Sequence, residues 1–133
     1  MNWPALVFAF GSTFALACGD SPSGPSNGEP TELAPGQSVV IAAGRVTFEA
    51  ITNDSRCPVD VVCVWEGEAV VRLRLDPSGE GPGRTVDLKT PGDRSVPFGG
   101  MVVELLEVTP APRSTQPIPS ASYRVVVRFV QAR

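Results

Sequence analysis

The chain has 133 residues, a formal net charge of −3, three cysteines and no histidine. That length fits one domain with a workable core. Without histidine, Ser–His–Asp and Cys–His machinery is excluded and the commonest metal ligand is missing. The acidic balance leaves no basic surface for nucleic acid.

Trp3 to Ala17 is mostly apolar and uncharged, and is interrupted by Pro4, Gly11, Ser12 and Thr13. It is short for a membrane span, which takes about 20 residues. A short apolar core ahead of small residues is the pattern of a signal peptide that is later removed. Ala15-Leu16-Ala17 fits the small-x-small rule of ordinary secretion. Leu16-Ala17-Cys18 resembles the lipobox of bacterial lipoproteins, in which the cysteine thiol receives a diacylglycerol and becomes the first mature residue. Ala15 stands where that pattern has an aliphatic residue, and Met1 to Val7 carries no Lys or Arg. An odd cysteine in an exported chain needs a role. Cys57 and Cys63 are close enough to pair, and lipidation accounts for the remaining Cys18.

Gly19 to Pro30 holds no large apolar residue. Such a stretch cannot bury enough surface to offset the entropy of ordering, so it reads as a flexible tether. Its coil reach is roughly 20 Å. The expected organisation is a signal peptide over 1–17, a lipidated cysteine and disordered tether over 18–33, and a folded domain over 34–133.

The domain reads as all β. Ser38 to Ala42 is a strand, Ala43-Gly44 a turn, and Val46, Phe48 and Ala50 form the apolar parity of the next strand. Trp65, Gly67, Ala69, Val71, Leu73 and Leu75 share one parity. Glu66, Glu68, Val70, Arg72 and Arg74 lie on the other, which predicts a half-buried antiparallel strand. Asp76 to Gly83 is a hairpin loop on composition, and Val86 and Leu88 mark another strand. Pro91-Gly92-Asp93 and Phe98-Gly99-Gly100 are turns. Met101 to Val108 is apolar on both parities, so it is central, with a bulge near Leu105-Leu106. Thr109 to Ser122, with four prolines, reads as a crossing connection. Tyr123, Val125, Val127 and Phe129 alternate in a last strand. The expected fold is a single antiparallel β-sandwich, or an open barrel, of about six to eight strands.

The densest motif runs from Asn53 to Gly67. In an exported chain, Cys57 and Cys63 default to a disulfide. The alternative, a zinc site, lacks further ligands because two thiolates do not complete a tetrahedral shell. Asp54-Ser55-Arg56-Cys57-Pro58, then Val62-Cys63-Val64-Trp65 and Gly67, resembles a motif of small bacterial exported proteins and lipoproteins. That family also tends to carry an alternating strand, a Leu-x-x-Val-x-Pro-x-Pro segment and a Tyr-led strand; Leu105 to Pro112 and Tyr123 to Phe129 match. The resemblance implies an exported compartment and a β fold. The family has no assigned activity, so it implies no catalytic residues.

Asn53, Asp54, Arg56, Asp60 and Glu66 are the candidate binding residues of this loop. Arg56 is expected to brace it against Asp54 or Asp60, and Trp65 to pack in the core against the disulfide, with ligand stacking as the other reading. The loop oxygens lack the spacing of a calcium loop. Glu66 and Glu68, about 7 Å apart on one strand face, would suit acid–base hydrolysis; a solvated charged face produces the same alternation. The expectation is a non-catalytic envelope lipoprotein that needs no cofactor and has no metal site. Its partners would be the membrane, through the lipid on Cys18, and an envelope protein or small ligand. A carboxylate-dependent hydrolase and a protease-inhibitor module are the alternatives.

Overall fold

The computed structural model describes residues 26–79 and 81–133. The expected signal peptide, Cys18 and the expected tether up to Pro25 lie outside the described residues. Eight strands form two antiparallel sheets of four. They are β1 (Pro30–Leu33), β2 (Ser38–Ile41), β3 (Gly44–Asp54), β4 (Ala69–Pro77), β5 (Arg84–Thr90), β6 (Ser95–Phe98), β7 (Met101–Thr109) and β8 (Arg124–Gln131). One sheet has the order β2-β3-β4-β5, and the other β1-β8-β7-β6. The fold is therefore the expected all-β sandwich. Among the described residues no helix is long and apolar enough to cross a membrane.

Period-two alternation builds the core. Val46, Phe48, Val71, Leu73, Leu75 and Leu88 face inward from one sheet, and Leu33, Val103, Leu105, Val125, Val127 and Phe129 from the other. Among the described residues, none of the buried ones is polar or charged. The outer faces carry cross-strand ion pairs between directly opposed residues, Arg72 with Asp87 and Glu104 with Arg128. These pairs are partly solvated and add little stability. Met101–Thr109 is central, between β8 and β6, and its register slips between Leu105 and Glu107, where the bulge was expected.

Several expectations need correction. The first strand lies inside the stretch assigned to the tether: Pro30 to Leu33 pairs with β8, and Leu33 is buried. The fold thus begins before residue 34. Ser95–Phe98 is an additional strand, β6, ending at the Phe98-Gly99-Gly100 turn. β4 starts at Ala69, so Trp65, Glu66, Gly67 and Glu68 precede it and do not share a strand face. The segment after Thr109 is a hairpin connection, because Thr109 pairs with Arg124. The crossings between sheets are the short links β1–β2 and β5–β6.

The two poles of the sandwich differ. One holds the chain entry and the C-terminus: Gly28 N–H donates to Phe129 O, and Gln131 N–H donates to Asn27 Oδ1. The β2–β3 and β6–β7 turns meet there, Gly99 lying against Ala43. The other pole, facing away from the chain entry, holds the β7–β8 loop and the β3–β4 loop, and the latter contains the Cys57–Cys63 motif.

Candidate functional site

At that second pole the β3–β4 loop is closed three ways. Cys57 and Cys63 form a disulfide with Cα atoms 5.9 Å apart. At its base the loop is zipped by Ser55 N–H to Glu68 O at 2.8 Å and Cys57 N–H to Glu66 O at 2.9 Å. Between these two bonds lies Gly67, at φ +72°. A Cβ on Gly67 would collide with the Ser55 carbonyl, so the glycine of the Cys-x-Trp-x-Gly pattern is required by close backbone approach and a left-handed conformation.

The loop is also fixed to the β7–β8 connection. Asp54 and Arg56 form a forked pair, Arg56 Nε to Oδ1 and Nη2 to Oδ2, both at 2.8 Å. The remaining guanidinium donors reach Val108 O at 2.8 Å and Pro110 O at 2.9 Å. Tyr123, leading β8, donates its hydroxyl to Asp54 Oδ2 at 2.9 Å. Val59 N–H donates to Pro112 O at 3.0 Å, and the Asp60 carboxylate accepts from Ser114 N–H at 3.0 Å and Ser114 Oγ at 2.6 Å.

The electrostatics follow from these bonds. Burial pushes the Asp54 carboxyl up, but hydrogen bonds from Arg56 and Tyr123 outweigh it and hold its pKa below the ordinary value. Burial, then the adjacent Asp54 carboxylate, pushes the Tyr123 hydroxyl up to about 12. Asp60 is lowered by the Ser114 hydroxyl and backbone amide. Arg56 chooses Asp54, and Asp60 serves a separate latch. Both acids are engaged in holding the loop.

What the loop presents is apolar. Six large hydrophobic residues are exposed among the described residues, and five lie between Val59 and Trp65. Val62 is 101% exposed, Val64 93% and Trp65 83%. The expectation that Trp65 packs in the core is therefore wrong. Beside this tip lies an open cleft of about 270 Å³, walled by Val59, Pro91, Ala111 and Pro112, with Arg56, Glu66 and Arg94 at its polar margin.

No family model, curated protein or solved structure matches the chain.

Of the candidate binding residues, Arg56 and Glu66 line the cleft together. Asp54 stands behind Arg56, Asp60 is bound to Ser114, and Asn53 is exposed in β3. Among the described residues no group of three or more acidic or thiol side chains converges as a metal site. Sequence reasoning missed Val59, Val61, Val62 and Val64 as surface features. Their signal was available: an apolar run without alternation, trapped between two bridged cysteines, has no strand partner to cover it.

Proposed function

We propose that this chain is a lipid-anchored envelope lipoprotein whose β-sandwich is a non-catalytic binding module, with the Cys57–Cys63 loop as its binding element. The observation that carries the reading is the concentration of exposed hydrophobics in Val59–Trp65. Contiguous exposed apolar surface is costly to keep in water and marks interaction sites. Covering Val62, Val64 and Trp65 is worth roughly 1.5–3 kcal/mol for each large side chain. The disulfide and the bonds of Arg56 and Asp60 hold the loop in place beforehand, which lowers the ordering cost of binding. Cys18 supplies the anchor in this reading, since Cys57 and Cys63 are bound to each other.

Two measurements test it. Metabolic labelling with a fatty acid is expected to tag the wild type and not Cys18→Ser; an unlabelled wild type, with Cys18→Ser processed normally, rejects the anchor. In cells lacking the protein, Glu68→Gln is expected to restore wild-type behaviour and Trp65→Ala to fail. The reverse result supports the hydrolase alternative. Protease inhibition is favoured by one feature, the fully exposed Val62 next to a bridged cysteine; it predicts stoichiometric inhibition of a serine protease that prefers small aliphatic side chains.

A further inference from the structure

We infer that the partner of this module is another protein, one that offers an apolar pocket bordered by basic side chains, and that it docks on the pole turned away from the chain entry. The inference rests on the binding reading above and adds the occupant.

Three occupants would cover the tip: a bilayer, a second copy of the chain, or a different protein. Charge separates them. Cys57 to Glu66 contains Asp60 and Glu66 and no Lys or Arg. Asp60 is latched to Ser114. Glu66 is exposed, follows Trp65 directly and makes no ion pair among the described residues. Loops that enter bilayers carry basic residues behind their apolar side chains, where they meet anionic headgroups; the segment that bears these apolar side chains carries carboxylates, Arg56 beside it is bound to Asp54, and Arg94 stands across the cleft on the β5–β6 link. A tip-to-tip dimer with its two-fold axis through Trp65 would bring both Glu66 carboxylates to the edge of one apolar contact, where like charges oppose association. A basic-rimmed pocket on a different protein satisfies both the apolar tip and Glu66.

Position agrees with charge. The chain enters the domain at Asn27 to Pro30, beside the end of β8, whereas the loop is beside its beginning, where Tyr123 meets Asp54. The strands between span about 3.3 Å per residue, so the full length of β8 separates tether from tip. A domain hung from its tether presents the loop outward. Trp65 and the valines are then the buried centre of the contact and Glu66 its polar rim, the arrangement in which an aromatic anchor dominates binding.

The experiment places a benzophenone amino acid at Val62 of the full chain in cells of its own source, with Ser78 at the opposite pole as control, and irradiates. The expected result is a position-62 adduct with a different protein, absent at position 78. Titration of that purified protein against the chain is expected to weaken about 30-fold with Trp65→Ala and about tenfold with Glu66→Lys. Val40→Ser is expected to leave it unchanged. Trp65 and Glu66 side chains are exposed, so the fold survives both changes. A lipid adduct, an adduct with a second copy, no adduct above the control, or a protein adduct indifferent to Trp65→Ala and Glu66→Lys overturns the inference. Fatty-acid labelling of the same sample reports the anchor separately, so loss of this docking mode is distinguishable from loss of the lipoprotein reading.

Discussion

Arg56 holds both carboxylate oxygens of Asp54, with Nε and Nη2 each at 2.8 Å, and the same guanidinium spans to Val108 O and Pro110 O. Two residues apart in sequence, they tie the end of β3 to the far end of β7. The Arg56 side chain is only 16% exposed and that of Asp54 11%. A forked charged pair at that depth, with its other donors satisfied, is strong when complete and costly when broken. Asp54→Ala is expected to destabilise the domain by about 3 kcal/mol, because Arg56 and the Tyr123 hydroxyl lose their acceptor. Urea denaturation measures it. A loss under about 0.5 kcal/mol, the size of an ordinary surface change, would show that the pair is ornamental.

The same cluster sets an alkaline limit. Tyr123 is the chain's single tyrosine, and its pKa rises from 10.0 to about 12 in the folded state. A raised folded pKa means the native state keeps its proton longer. The stabilisation is full below pH 10 and is lost as pH climbs toward about 12. Tyrosinate absorbance is expected to show one late titration in the native protein. Tyr123→Phe is expected to remove the decline in stability across that window.

Asp54 sets the acid limit with the opposite sign. Its folded pKa lies below the ordinary aspartate value of 3.8. Its contribution is therefore complete above the unfolded value and disappears as pH falls through the folded one. Stability measured from pH 6 downward is expected to drop more steeply in the wild type than in Asp54→Asn, which is less stable throughout but has no such titration. Parallel curves would place the acid sensitivity elsewhere.

The sequence was legible where alternation and burial coincide. Ala69, Val71, Leu73 and Leu75, and Val125, Val127 and Phe129, have one face in the core and one in water, which period two records directly. The same rule failed when extended back to Trp65. Gly67, at φ +72°, breaks the extended backbone, so parity across it carries no meaning. β1 and β6 were hidden for a different reason. Each buries one large side chain, Leu33 or Phe98, and Pro30 and Pro97 give them the look of tether and turn. Proline is tolerated there because both are edge strands. The site was half legible. The cysteines announced a closed loop, but that its valines face water depends on Arg56, Asp60 and Tyr123 meeting partners more than fifty residues away.

Gly67→Ala is expected to be among the most damaging single changes outside the core. The new methyl group would meet the Ser55 carbonyl, and the left-handed backbone adds about 1–2 kcal/mol of its own. Gly79→Ala, in a loop with open space around it, is the matched control. Thermal melts of the two variants settle the comparison: similar midpoints would mean that the base of the loop rearranges freely.

Trp65→Ala provides the sharpest contrast between a core and a display role. A tryptophan packed in the core costs about 3–5 kcal/mol when truncated; one standing 83% exposed at a loop tip costs under about 0.5 kcal/mol. Fluorescence adds an independent reading. The chain has two tryptophans, Trp3 and Trp65, and the proposed mature form, beginning at Cys18, keeps Trp65 as its single one. Its emission is expected to be solvent-like in the native state, open to a neutral quencher, and barely shifted on unfolding. A blue-shifted, protected Trp65, or a large loss of stability in Trp65→Ala, would put the side chain back in the core and take away the central feature of the proposed binding surface.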